Sequence, residues 1–525
     1  MTATSDIADA YRALLIQEDP LYAVMAGEAP QSLAPLSETA VRDRAARADG
    51  LLDRLDAIEV PEAEADLASV LRTLLTDEVD QPQVMWHEHL TAPYHALLLF
   101  AMVARSAIAP LEGTERARLT AEFAGRVRST AVMLREQRAR GIVLPRPAAE
   151  GARRSWAALA AELSTLLASP AVDAAMTAVA AEMATSAETA GEAVGMAHMP
   201  GGEAAYRLWV QRHTTSDLGP EELHRLGLAQ CALLSERMAE IRARLGGPGD
   251  EDEARAWLSA QTHLYASTPE EVAATYRRHV ARAEPGIDKL FHTRPRAAYD
   301  VQRLDEADED GMTFGYYAQP GLTQPVGLYR FNGSSLQDRS LLTSAALILH
   351  ELVPGHHFHF ALQTENTALH PLQRTAPLVA FSEGWAEYAS HLGWEMGAYA
   401  DDWDAYGRLA HERFTAQRLV VDTALNLGSW DLAKARTFMR ANTFDSERQI
   451  ATETLRYATD LPAQALAYRS GFLAFQQARE AAAGADPRLV HDAMLGAGAV
   501  PVPRMRQRVA QAVAETVPAK GGRRG

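Results

Sequence analysis

Apolar residues recur at three- and four-residue intervals along most of this chain, the pattern of helices that bury one face. Leu51, Leu52, Leu55 and Ile58 keep that spacing, as do Ala68, Val70, Leu71, Leu74 and Leu75. Pro20, Pro30, Pro35 and Pro61 interrupt the first stretches, because proline removes a backbone donor and clashes with the preceding turn. The alanine-rich run 150–195 holds its leucines and methionines in helical register, which predicts two or more packed helices on either side of Ser169-Pro170. One stretch departs from this rule. From 298 to 335 the period shortens to two: Ala298–Val301, Phe314–Pro320 and Gly327–Gly333 alternate aromatic or branched residues with small or polar ones, bounded by turn formers. These segments predict short strands. The expected architecture is mainly α, with a helical N-terminal lobe over residues 1–290 and a second lobe over 291–525 that carries a small β-sheet.

Length and composition narrow the function classes. A chain of 525 residues buries more than one core and usually divides. The net charge of -17, from 51 Lys+Arg against 68 Asp+Glu, argues against nucleic acid or an anionic membrane as partner. No run reaches the roughly 18–20 apolar residues of a membrane span, and Met1–Leu15 has no basic start followed by an apolar core, so a cytoplasmic location is expected. Cys231 is the one cysteine, which excludes an internal disulfide framework and any cysteine-based zinc site. Nothing in the sequence sets an oligomeric state.

The chemistry concentrates in Leu349-His350-Glu351-Leu352-Val353-Pro354-Gly355-His356-His357 and in Ser382-Glu383-Gly384-Trp385-Ala386-Glu387-Tyr388. A zinc hydrolase needs two imidazoles and a carboxylate on the metal, plus a free carboxylate to manage a water proton. In the usual HExxH arrangement the histidines lie four apart on one helical face. Here the fourth residue after His350 is Pro354, which cannot bind a metal, and the next histidines are six and seven residues on. Neither spacing suits one ion on a straight helix of 3.6 residues per turn. Pro354-Gly355, however, is a pair that breaks or bulges a helix. A two-residue bulge returns His356 to the place of the second ligand, with His357 as the second choice. The expected ligands of a Zn2+ ion are therefore His350, His356 (or His357) and Glu383.

Four segments in order, HELVPGHH, SEGWAEYA, RLVVDTALNLGSW and ETLRYATDLPAQALAY, resemble the signatures of the domain-of-unknown-function 885 family of bacteria, regarded as zincin-like metallohydrolases. That family's pattern runs HExxPGHH, EGWALYAE, RLVVDTGLHxxGW and ExxRYxxxPGQALSY. The resemblance covers most of residues 290–510. It implies a two-lobed zincin-like fold, with the sheet beside the metal helix. A further likeness to the third-ligand segment of gluzincins selects Glu383 over Glu387 as ligand. Four positions depart from the pattern: Glu387 stands where the family has leucine, Ala424 and Ala463 where it has glycine, and Asn426 where it has histidine.

The roles that follow are these. Glu351 is the general base for a water that attacks an acyl carbon, and returns the proton to the leaving amine. Tyr457 and Tyr468 are candidates to steady the developing oxyanion, since the family has tyrosines at both places. Arg456 is a candidate clamp for a substrate carboxylate, with a salt bridge to Glu453 as its competing role. Gly327–Asn332 is assigned as an edge strand that holds an extended substrate through its main chain, with Tyr329 and Asn332 at the substrate. His357, if not a ligand, orients one or meets substrate. The expected activity is hydrolysis of peptide or amide bonds in short peptides or small amide-linked molecules. The departures at Ala424 and Asn426 raise a second possibility, a zinc-dependent tailoring enzyme (amide hydrolase, lyase or cyclase) of a specialised pathway.

Overall fold

The computed structural model describes residues 2–309, 315–320 and 325–516. Helices make up most of it, with one small three-stranded sheet. Local signals set many helix ends. Thr2 and Ser37 accept hydrogen bonds from the N–H of Ser5 and Ala40, and Asp19 caps a helix whose first residue is Pro20, a position where the missing donor costs nothing. The alanine-rich run forms the helices Arg146–Leu167 and Pro170–Thr189. No helix among the described residues is long and apolar enough to cross a membrane.

The chain divides into two compact units. The first comprises Met1–Arg212, Asp422–Ala435 and Thr452–Gln464; the second comprises His213–Val421, Arg436–Ala451 and Ala465–Gly525. This differs from the expected boundary at 290. The reason is that helix Pro269–Ile287 packs on helix Ser344–Glu351 within the second unit, where His279 Nε2 lies 3.1 Å from Ser344 Oγ. In the first unit the core gathers on Phe100, whose ring meets Phe123 and Trp156 edge-on at 6.3 and 5.5 Å between centroids.

Three strands lie in the second unit: β1 (Tyr299–Arg303), β2 (Gly315–Ala318) and β3 (Gly327–Phe331). Phe314, expected at the start of the second strand, lies outside the described residues. β3 is the middle strand: it pairs in parallel with β1, Tyr299 opposite Gly327, and antiparallel with β2, Gly315 opposite Phe331. The expectation that Gly327–Asn332 forms an edge strand is therefore corrected. Both sides of β3 are taken by ladder hydrogen bonds, so its main chain cannot receive a substrate strand; among the described strands, β1 and β2 are the edges.

Helix Val379–His391 crosses helix Leu466–Ala481 in contact at two glycines. A Cβ on Gly384 would stand 2.5 Å from the Cα of Gly471. Only side-chain-free residues permit this approach, which seats Glu383 and Tyr468 on neighbouring elements.

Candidate metal centre

Helix Ser344–Glu351 stops after its last turn, the chain turns through Leu352–Gly355, and a new helix starts at His356 and runs to Glu365. Gly355 is essential to this path. A Cβ there would lie 1.9 Å from the carbonyl oxygen of His350, so the chain can fold back over the end of the first helix only without one. The fold-back places the His350 and His356 rings 4.7 Å apart and nearly perpendicular.

Both rings turn toward the same carboxylate. Glu383 Oε2 stands 3.5 Å from His350 Nε2 and 3.3 Å from His356 Nε2. The two histidines are buried, and Oε2, itself buried, has no well-formed hydrogen bond among the described residues. An imidazole pair and an oxygen that converge without bonding one another fit a divalent cation, and the N, N, O donor set suits zinc. Without the ion the charges balance in another way. Burial disfavours a charged His350, yet Glu383 and Glu387 override it and raise its pKa to about 10. Burial would raise Glu383, but His356 and His350 hold it well below the usual carboxylate range.

The opposite edge of His350 meets a second carboxylate. Glu387 Oε1 lies 3.0 Å from His350 Nδ1 and accepts a hydrogen bond from His411 Nε2 at 2.7 Å. Arg408 donates to Glu387 Oε2 at 3.3 Å and to its carbonyl at 3.1 Å. His350, Glu387 and His411 also satisfy the spacing of a metal site, but here a well-formed hydrogen bond and an adjacent guanidinium already account for the carboxylate. The network extends from Arg408 to Glu412, which also meets Arg469 and His391. Sequence reading missed His411, Arg408 and the role of Glu387. The available signal was that Glu387 follows Glu383 by four residues, and therefore shares its helix face.

Glu351, next to His350, is half-buried at the end of its helix. Burial raises its pKa, partly offset by His350 and His356. Tyr468 lies nearly parallel to the His350 ring at 6.2 Å, with the Arg418 guanidinium 4.6 Å from the centroid of its own ring. The second unit thus brings together His350, Glu351, His356, Glu383 and Tyr468.

The remaining candidates have other partners. His357 takes no part in the cluster: its Nε2 donates to the carbonyl of Ala297 at 3.0 Å, which leaves Nδ1 to accept from the Tyr317 hydroxyl at 2.9 Å. Tyr317, on β2, was not anticipated; its ring lies 6.4 Å from that of His356 and stacks on Phe360 at 6.2 Å. Tyr329 is fully buried and meets Tyr276 edge-on. Asn332 is buried and donates to the Glu309 carbonyl while accepting from Ser334. Asn332 is thus held as scaffold, while Tyr329 lies close enough to Glu351 to feel its charge. Arg456 and Tyr457 belong to the first unit. There Arg456 pairs with Glu453 at 3.3 Å and with Gln464 at 2.9 Å, and the buried Tyr457 hydroxyl donates to Glu453 at 2.6 Å.

Three of the four departures from the family pattern, Ala424, Asn426 and Ala463, also lie in the first unit. Asn426 donates to the carbonyls of Asp422 and Tyr457, each at 3.0 Å, and accepts from the Met196 N–H at 3.2 Å. Ala463 adopts φ +69° and donates its N–H to Asp422 at 3.1 Å. Ala424 is fully buried. Burial raises the Asp422 carboxyl to about 7 despite the bonds from Tyr206, Ala463 and Asn426.

Comparison with known proteins extends this description. A family described as a bacterial protein of unknown function (DUF885) matches residues 20–509. Among curated proteins no match is found. A "putative lipoprotein" from Colwellia psychrerythraea has a similar structure, with a TM-score of 0.87 and 22% identity over 98% of this chain and 100% of that one. A second, a "putative lipoprotein of unknown function" from Shewanella oneidensis, gives 0.75 and 15% identity over 96% and 98% of the two chains. At these identities the likeness is one of fold.

Proposed function

The chain belongs to the DUF885 family, and on that footing we propose that it is a zincin-like, zinc-dependent hydrolase of peptide or amide bonds in short peptides or small amide-linked molecules. One observation carries this reading: Glu383 Oε2, without a well-formed hydrogen bond among the described residues, lies within 3.5 Å of both His350 Nε2 and His356 Nε2, with Glu351 next in sequence to the first of them. His350, His356 and Glu383 would hold the ion. Zinc bound there would supply Lewis acidity and would lower the pKa of a water from 15.7 to about 7.

The protein's own groups do the rest. Glu351 accepts the proton of the attacking water; burial makes its carboxylate more basic than usual, which favours that transfer near neutral pH. The same carboxyl then delivers the proton to the departing amine. Glu387 Oε1 stands 3.0 Å from His350 Nδ1, and its charge would help keep Nε2 directed at Glu383 and His356. Tyr468, whose ring flanks that of His350, would steady charge that develops on the substrate oxygen. β2, an edge strand that carries Tyr317 beside His356, takes over the substrate-holding role first assigned to β3. The departure at Asn426 is accounted for by its three backbone partners, so it lends little weight to the tailoring alternative.

Elemental analysis of purified protein should find close to one zinc per chain, and a His350→Ala, Glu383→Ala double variant should lack it. Zinc-loaded protein should cleave members of a short-peptide library, and Glu351→Gln should not. Full zinc retention by the double variant overturns the reading of the site. A zinc-loaded protein that cleaves no peptide shifts the reading to a small-molecule tailoring reaction.

A further inference from the structure

We propose that Trp385 is a positioning residue that sets the distance between two of the metal ligands, and this rests on the metal-site reading above. The argument starts at the break in the histidine helix. Pro354 lies in the buried turn between the two helices, outside both, and a buried carbonyl there needs a donor. The indole N–H of Trp385 supplies one: it donates to the Pro354 carbonyl at 2.9 Å and approaches that of Gly355 at 3.3 Å. These are the two residues immediately before His356. Indole is a donor only, so the bond has one sense and one partner set.

Trp385 cannot easily move away from this bond. It is fully buried, and Phe291, Phe475, Tyr388 and His491 enclose it at ring distances of 5.7 to 6.1 Å. Its place on the helix gives the bond its consequence. Glu383 and Trp385 are two residues apart on helix Val379–His391. One rigid element therefore carries a ligand and also grips the turn that presents another. Any shift of that helix moves Glu383 and His356 together, which preserves the 3.3 Å approach of Oε2 to Nε2. Beyond the chain itself and the buried packing of Leu352–Gly355, the indole bond thus ties the turn that presents His356 to the helix that presents Glu383.

The test uses the full-length protein with zinc and cobalt(II) as probes. Two replacements at position 385 remove the N–H: Trp385→Phe, and 3-benzothienylalanine incorporated at 385, which keeps the fused-ring shape. The unfolding midpoint of the metal-free benzothienylalanine form should stay within a few degrees of wild type. Zinc affinity, measured by competition with a chelator, should fall about 10- to 100-fold in both, the usual cost of losing an outer partner of a metal site. The visible bands of the cobalt(II) form should shift, because His356 no longer sits at a fixed distance. Unchanged affinity and an unchanged cobalt spectrum in the benzothienylalanine form overturn the proposal while the metal site stands. Absence of metal binding by wild type overturns the metal site itself and this proposal with it. Should Trp385→Phe fail to fold, the benzothienylalanine form alone decides.

Discussion

Glu387 stands one helical turn beyond Glu383, with its Oε1 3.0 Å from Nδ1 of His350, while Glu383 addresses Nε2 of the same ring at 3.5 Å. Two carboxylates of one helix thus face the two nitrogens of one imidazole. Replacing Glu387 by Gln keeps an acceptor but removes the charge. Zinc affinity should drop about tenfold or more by chelator competition. Glu387→Leu should in addition destabilise the protein by about 3 kcal/mol in denaturant unfolding, because Arg408 and His411 lose a buried anion.

Glu351→Gln should bind zinc as wild type does and keep its unfolding midpoint. The amide is nearly isosteric with the carboxylate but cannot accept the water proton. Turnover of the best library peptide should fall by about 10²–10⁴-fold. Activity within a few-fold of wild type would remove Glu351 from the reaction.

The metal-free protein should show a distinct pH signature. His350 has a pKa raised from 6.5 to about 10. In the folded state it keeps a proton that the unfolded chain loses near 6.5, so its contribution to stability is complete below 6.5 and is lost as pH rises through about 10. Denaturant unfolding of the metal-free protein should therefore weaken across that window, and His350→Gln should lack this slope. Zinc must displace the same proton, so uptake at neutral pH should release acid, measurable in weakly buffered solution. A flat stability profile from pH 6.5 to 10 would contradict the charge arrangement at His350.

The sequence exposed those parts of the site that depend on near neighbours along the chain. Pro354-Gly355 predicted the break, and the spacing beyond it singled out His356, because both effects act within one helix end. What escaped depends on partners far apart in sequence. His411 had no local pattern, since its carboxylate arrives from residue 387 on another helix. Tyr317 and Trp385 read as ordinary aromatic positions; only the fold directs their polar atoms at His357 and Pro354. The strand at 327–331 was legible as a strand, but alternation says nothing about how many neighbours a strand has, and β1 occupies the side that was taken as free. The first 290 residues read as one helical lobe because periodicity cannot show which helix packs on which.

The adjacent histidines give the sharpest test of the broken-helix geometry. On a straight helix His357, seven residues from His350, would share its face and His356 would not. The turn at Leu352–Gly355 reverses that order. His356 Nε2 comes within 3.3 Å of Glu383, while both nitrogens of His357 are occupied by Ala297 and Tyr317. His356→Ala should therefore lose stoichiometric zinc while remaining folded. His357→Ala should keep zinc with near wild-type stoichiometry but unfold more readily, by about 1–3 kcal/mol, because the Tyr317 hydroxyl and the Ala297 carbonyl lose their partner. Elemental analysis and denaturant unfolding of the two purified variants separate these outcomes. Zinc lost from His357→Ala and kept by His356→Ala would mean that the chain holds its metal one residue further along, and that the fold-back over His350 is not the arrangement that binds it.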